Sequence, residues 1–139
     1  MGLRRAAREC ALQMLYQMDV GKLECEEVLA SFWDLNEHSS KVQEFAERLF
    51  EGCAARLKEI DRLIQSRAEN WRLRRMAAVD RNILRLAVFE LLSDDNTPST
   101  VVINEALDIA KKYSTQESAQ FVNGILDNVR KDIGSRRAS

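Results

Sequence analysis

The 139-residue chain is poor in the residues that interrupt helices or build metal and redox sites, with one proline, one histidine, three cysteines and five glycines. Scarce proline and glycine beside abundant Leu, Ala, Arg and Glu favour an all-helical protein. Cys10, Cys25 and Cys53 are widely spaced and include no Cys-x-x-Cys pair, so neither a disulfide framework nor a zinc site is expected. We interpret His38, which precedes two serines, as a loop residue rather than a metal ligand.

The sequence also lacks the features of membrane, secreted and phosphate-binding proteins. No apolar run approaches the ~20 residues of a membrane span, and no signal core follows the basic first residues. The glycines are isolated, so there is no glycine-rich phosphate loop. With one histidine in a loop, nucleophilic catalysis has no base. These absences favour a cytoplasmic, non-enzymatic protein without a cofactor.

Length and charge predict one globular domain with a locally basic start. Hydrophobic residues make up 45% of the chain and charged residues 31%, which is typical of a protein with a sizeable core. The net charge is −1, yet residues 1–18 hold three arginines and one glutamate. Basic character confined to one segment predicts a defined contact site rather than general affinity for nucleic acid.

The spacing of apolar residues predicts about seven helices and no strand. The predicted helices cover 3–19, 26–35, 40–65, 79–92, 99–113 and 116–133, with a short helical turn over 73–78 and a turn over 94–98. A capping box of Ser40 and Gln43 is expected to open the third helix. Gly21 and Gly134 are expected to end the first and last helices, which leaves 135–139 as a frayed basic tail. The 79–92 helix is apolar on most sides, so it is predicted to be the central buried element.

The first predicted helix carries two stripes of side chains. The stripe predicted to face the core consists of Ala7, Cys10, Ala11, Met14, Leu15 and Met18. The second stripe, more than a third of a turn away, consists of Arg5, Arg8, Leu12 and Tyr16. We expect the second stripe to face outward and to dock on a partner, because a merely solvated basic turn needs neither Leu12 nor Tyr16.

Charged residues also punctuate the predicted central helix. Arg85 and Glu90 are expected to form paired charges at the rim of the core, since such residues are rarely buried alone. Asp80 lies near the start of the helix, where an acidic side chain suits the helix dipole. We expect Asp80 to be exposed and available to a partner.

Four stretches together resemble the NusB family of bacterial transcription antitermination factors. They are Arg8–Gln13 leading to Leu15 and Tyr16, Val79–Ala87 with Glu90 and Leu91, Ile103–Ala106 with Ala110 and Lys111, and Phe121–Asp127. They follow the order of the family and span nearly the whole chain. The resemblance implies an all-α fold in which two small helical bundles pack together within a single domain over residues 1–139. On this sequence the N-terminal bundle covers about 3–66 and the C-terminal bundle about 70–134.

The resemblance also implies partners and a site. NusB-like proteins pair with a small-subunit ribosomal protein, called NusE in this role. The pair binds the single-stranded boxA element of nascent ribosomal RNA in a complex with RNA polymerase and other Nus factors. Positions similar to the RNA-contacting ones of the family are Arg4, Arg5, Arg8, Gln116, Glu117, Gln120 and Phe121. The partner-facing positions are Tyr16 and Asp80, to which the outward stripe adds Leu12.

Two features of this sequence qualify the implied RNA site. Phe121 lies on an apolar stripe, so a core position is the alternative to stacking on RNA. Three arginines give only a modest salt dependence, with a slope of roughly −0.7 per phosphate contact for single strands. We therefore expect weak RNA binding by the chain alone and useful affinity only together with the partner.

Two other functions remain open. One is an RNA-docking domain related to the N-terminal region of ribosomal RNA cytosine methyltransferases, which requires a following catalytic domain that residues 1–139 do not contain. The other is a helical module that binds only protein, and charge reversal at Arg5 and Arg8 distinguishes it from an RNA-binding protein. A homodimer that covers Leu12 and Tyr16 when the partner is absent is a further option.

Overall fold

The computed structural model describes residues 2–68, 73–93 and 97–138, with side chains described as far as residue 134. This part of the chain forms seven α-helices and a short 3-10 turn and contains no strand, which confirms the all-α prediction. The helices are α1 (Leu3–Gly21), α2 (Cys25–Leu35), α3 (Ser40–Ala55), α4 (Leu57–Arg67), α5 (Ala78–Leu92), α6 (Ser99–Tyr113) and α7 (Gln116–Ala138). The 3-10 turn covers Leu73–Arg75. Among the described helices, none is both long and apolar enough to cross a membrane.

Helix α5 is the centre of the fold, as its sequence predicts. It packs against α1, α3, α4, α6 and α7, and its side chains are buried around most of its circumference. Its approach to α3 is close at Gly52, where an added Cβ would lie 2.3 Å from Cζ of Phe89. A glycine at this position lets the two helices come together without displacing the Phe89 ring.

The predicted core stripe of α1 is confirmed. Ala7, Cys10, Ala11, Met14 and Leu15 are all buried where α1 packs on α2, α3 and α5. Met18 is partly buried against the same core. The stripe anchors α1, and the orientation of every other α1 side chain follows from it.

Residues 40–65 form two helices, so the prediction of one long helix is wrong. Helix α3 ends at Ala55 and α4 begins at Leu57, with Arg56 between them at φ −112° and ψ 20°. The apolar spacing continues across this break, because Cys53 and Ile60 are both buried. The break lets α4 pack on α5 and α7 instead of continuing the line of α3.

Two predicted helix ends also differ from the structure. Ser39, not Ser40, caps α3, because its Oγ accepts a hydrogen bond from the Val42 amide at 3.3 Å. Gly134 does not end α7, whose backbone stays helical to Ala138, so the expected frayed tail over 135–138 is wrong. One glycine costs a helix only about 1 kcal/mol relative to alanine, which is not enough to stop it.

The division into bundles over about 3–66 and 70–134 stays a prediction. Helices α1 to α3 contact one another, as do α5 to α7, and α4 contacts members of both groups. Residues 69–72 and 94–96 lie outside the described residues. They include the start of the predicted second bundle and most of the predicted turn over 94–98.

Candidate functional site

Arg8 is a buried ion-pair residue, so its expected outward position is wrong. Its side chain is 4% exposed, and Nε and Nη2 donate hydrogen bonds to the two carboxylate oxygens of Glu90 at 2.8 and 2.9 Å. Nη1 donates to Glu105 at 3.0 Å. Burial lowers the pKa of Arg8, but the hydrogen bonds and charge of Glu90 outweigh that effect and raise it overall. Arg8 therefore joins α1 to α5 and α6, and the expected pairing of Glu90 is confirmed.

Arg5 and Leu12, from the same stripe, also face α6 and α5 rather than solvent. Arg5 is half-buried and pairs with both Glu105 and Asp108, and its Nη2 lies 2.8 Å from Asp108 Oδ2. The hydrogen bond from Arg5 holds the pKa of Glu105 below its usual range. Leu12 is only 4% exposed, so its expected position on an exposed docking stripe is wrong. The sequence of α1 alone gives no sign that the acidic groups of α6 will meet this stripe.

Arg4 and Tyr16 are the two expected contact residues of α1 that stay exposed. The guanidinium carbon of Arg4 lies 5.5 Å from the centroid of the Phe45 ring. Among the described residues, no carboxylate forms an ion pair with Arg4. Tyr16 is 39% exposed. These two residues lie at opposite halves of α1, about 18 Å apart at 1.5 Å per residue.

Tyr16 lines an open, mostly apolar groove of about 390 Å³ between α1, α5 and α6. Leu12 forms part of the groove, and Val79 and Tyr113 approach from the other two helices. Tyr113 is itself exposed and donates a hydrogen bond to Glu9 at 2.7 Å. The groove thus presents two tyrosines on a rigid helical support.

Asp80 lies at a second groove, of about 400 Å³, where the start of α7 meets the start of α5. It is only 8% exposed, so its expected exposure is wrong. Oδ2 accepts a hydrogen bond from the Ser118 hydroxyl at 3.0 Å, whereas the buried Oδ1 has no hydrogen-bond partner in the structure. Asp80 therefore contributes a carboxylate to the wall of this groove, although its unsatisfied oxygen is buried.

Two of the four expected RNA contacts of α7, Glu117 and Phe121, line this second groove. Gln116, Glu117 and Gln120 are exposed on the first turns of the helix. Phe121 is half-buried, packs against the core and lines the groove with Glu117 and Asp80. The structure therefore brings the expected RNA positions of α7 next to an expected partner position. Arg4 lines neither this groove nor the Tyr16 groove.

A charged cluster that the sequence does not reveal joins α1, α4 and α5. Arg85 donates two hydrogen bonds of 2.9 Å to Asp61 and one of 3.2 Å to Asp19, which confirms that Arg85 is a paired charge. Arg81 donates to Asp19 at 2.8 Å. Burial raises the pKa of Asp19, but these donors outweigh it and lower the pKa overall. The cluster lines a groove of about 650 Å³, and its members are paired with one another.

Comparison with known proteins identifies the chain by family. The NusB family model matches residues 5–131. The transcription antitermination protein NusB of Koribacter versatilis is 49% identical, over 98% of this chain and 94% of that protein. Among solved structures, T. maritima NusB is 40% identical with a TM-score of 0.85, covering 93% of this chain and 91% of that one.

A chain from the solved complex of antitermination factors NusB and NusE with double-stranded RNA is also similar. It is 28% identical with a TM-score of 0.85, and the match covers 95% of this chain and 98% of that one. The family model, the relative and the solved structures each match nearly the whole length of this chain. The two solved structures share the helical fold described above. The chain belongs to the NusB family.

Proposed function

We propose that this chain is a transcription antitermination factor that pairs with the ribosomal protein NusE. The pair binds boxA RNA in nascent ribosomal RNA transcripts and supports processive transcription with RNA polymerase and other Nus factors in the cytoplasm. The observation that carries the proposal is the similarity, over 95% of the chain, to a structure in which NusB, NusE and RNA occur together. The curated relatives are named as antitermination proteins rather than enzymes.

For the protein partner we propose the surface made by the two grooves around Tyr16 and Asp80. Tyr16 and Tyr113 supply exposed aromatic area, which is enriched at the centres of protein interfaces. Asp80 adds a carboxylate to the wall of the second groove. Leu12 supports Tyr16 from beneath, as a buried wall of its groove. A partner that combines an apolar segment with a nearby donor fits both grooves.

For RNA we propose direct contact by Arg4, Gln116 and Gln120, with Glu117 and Phe121 beside them. The amides offer donors and acceptors for base edges, and the exposed guanidinium suits phosphates and unpaired bases. Arg5 and Arg8 act differently, because their guanidiniums are bound to Glu105 and Glu90. They position the start of α1. Arg5 can contact RNA only if an RNA phosphate replaces the carboxylates of Glu105 and Asp108 as its partner.

The test is titration of the chain, with and without NusE, against boxA RNA and a scrambled RNA of equal length. We expect weak binding by the chain alone and clearly tighter, sequence-dependent binding by the pair. Failure of the chain to bind NusE, or equal affinity of the pair for both RNAs, would contradict the proposal. Size-exclusion chromatography with light scattering on the chain alone tests whether a homodimer covers Tyr16 when NusE is absent.

A protein-only interaction module is the second candidate, and one observation favours it. Acidic partners neutralise two of the three arginines at the start of α1, which leaves less free positive charge than the sequence suggests. Charge reversal of Arg4 separates the two functions. Unchanged RNA binding by the NusE pair after Arg4→Glu would support the protein-only module.

A further inference from the structure

Helix α3 brings a second free arginine next to Arg4. The guanidinium carbon of Arg48 lies 5.0 Å from the centroid of the Phe45 ring, and that of Arg4 lies 5.5 Å from the same centroid. Both distances are within the range of cation–π attraction. Arg8 also approaches this ring, at 6.0 Å, but its charge is already bound to Glu90. We call Arg4, Phe45 and Arg48 the ring cluster.

The two outer arginines of the ring cluster are not neutralised. Both are exposed, and no carboxylate among the described residues forms an ion pair with either of them. Glu44 and Glu51 are within one turn of Arg48 on α3, yet neither pairs with it. Lys41 is exposed on the same face as Phe45 and Arg48, since the three are four and seven positions apart. This face therefore presents unpaired cationic side chains around an aromatic ring, and the exposed carboxylate of Glu44 lies on it as well.

We propose that Arg48 of α3 is an RNA-contacting residue that extends the RNA surface from the start of α1 across the Phe45 ring. The inference rests on the proposed RNA-binding function. Arg5 and Arg8 are neutralised, so Arg4 is the one arginine of α1 whose charge is free for RNA. Arg48 supplies a second free guanidinium. Cation–π contact with Phe45 orders both guanidiniums before RNA arrives, so less side-chain entropy is lost on binding.

A single RNA strand fits the ring cluster better than a folded protein surface does. Planar guanidiniums bind phosphate oxygens and stack on unpaired bases, and both groups recur along a single strand. Phe45 is half-buried against the core, so its role is to hold the arginines in place. The proposal thus treats Arg4 and Arg48 as contacts and Phe45 as a positioning residue.

The experiment measures the affinity of the NusE complex for boxA RNA, over a range of salt concentrations, for Arg48→Glu, Arg48→Lys and wild type. Arg62→Glu is the matched control, since Arg62 is exposed on α4 and forms no ion pair among the described residues. We expect Arg48→Glu to weaken RNA binding about tenfold and to reduce the salt slope by about 0.7. Arg48→Lys should lie between it and wild type, because it keeps the charge but loses the planar group.

Each outcome decides the proposal. Wild-type affinity and salt slope in Arg48→Glu, or an equal loss in Arg62→Glu, would overturn it while leaving the proposed function intact. Weaker binding of NusE to Arg48→Glu in the absence of RNA would show instead that the ring cluster contacts protein. A wild-type complex that fails to bind boxA RNA would reject the proposed function itself. If Arg48→Glu does not fold, Arg48→Gln provides the same comparison without charge reversal.

Discussion

Arg8 and Glu90 form a bidentate ion pair across 82 positions of the chain, with nitrogen–oxygen distances of 2.8 and 2.9 Å. Their side chains are 4% and 2% exposed, so the pair is almost completely removed from water. It connects the start of α1 to the C-terminal half of the central helix α5. A residue that resembles an RNA contact in sequence is thus part of the structural framework beneath the surface.

Removing Arg8 should destabilise the fold strongly. Arg8→Ala leaves the Glu90 carboxyl group buried without its main donor, and loss of one partner of a buried pair costs about 3–5 kcal/mol. Urea denaturation followed by circular dichroism measures the change. Arg62→Ala, at an exposed arginine without an ion pair, should stay within about 0.5 kcal/mol of wild type. A variant Arg8→Ala with wild-type stability and reduced RNA binding would return Arg8 to the RNA-contacting residues.

Truncation of Tyr16 should weaken the partner complex without unfolding the chain. Tyr16 is 39% exposed, so Tyr16→Ala removes little core packing, whereas a central interface tyrosine is worth about 2 kcal/mol or more. Isothermal titration calorimetry with NusE measures the loss. Leu35→Ala is the control, because Leu35 is 87% exposed on α2 and lines neither groove. Equal NusE affinity in wild type and Tyr16→Ala would exclude the Tyr16 groove as the partner site.

Neutralising Glu117 should have opposite effects on RNA binding and on stability. The exposed carboxylate lies between Gln116 and Gln120 on the first turns of α7, where it repels phosphate. Glu117→Gln should strengthen binding of the NusE complex to boxA RNA by a few-fold, with the gain shrinking at high salt. The same change removes a favourable charge at a helix N-terminus, so the free energy of unfolding should fall by about 0.3–1 kcal/mol. A weaker RNA complex after Glu117→Gln would show that the carboxylate itself accepts hydrogen bonds from RNA bases.

The elements of this fold are largely predictable from sequence, because each helix carries its own apolar stripe. Periodicity identifies α6 at Ser99–Tyr113 and the buried character of α5 correctly. It does not detect the break at Arg56, since Cys53 and Ile60 keep the helical spacing across it. Whether the helix breaks at Arg56 depends on where α5 and α7 lie. The sequence around Arg56 contains no information about the positions of those two helices.

Exposure of the candidate site is much less predictable than the helices that carry it. Arg4, Arg5 and Arg8 look alike in sequence, and only tertiary contacts with Glu90, Glu105 and Asp108 separate the bound guanidiniums from the free one. Asp80 is buried for the same reason, because Ser118 at the start of α7 packs over it. Arg48 gives the converse case, since nothing in the sequence links it to Arg4 until both meet the Phe45 ring.

The acid sensitivity of the fold should depend on Glu105. Hydrogen bonds and charge from Arg5, with a further contribution from Arg8, hold the pKa of Glu105 below its ordinary value of 4.5. The folded protein therefore takes up this proton at lower pH than the unfolded chain does. The resulting stabilisation is complete above about pH 4.5 and is lost as the pH falls through the lowered pKa of the folded state.

Substitution of Glu105 by glutamine removes this titration. Glu105→Gln should unfold more easily than wild type at pH 7, and its free energy of unfolding should fall less steeply below pH 4.5. Urea denaturation at a series of pH values from 3 to 7 measures both effects. Glu37→Gln, which replaces an exposed carboxylate in a loop, is the control variant. If the free energy of unfolding fell equally steeply below pH 4.5 in wild type and Glu105→Gln, other carboxylates, such as Asp19 beside Arg81, would dominate the acid response.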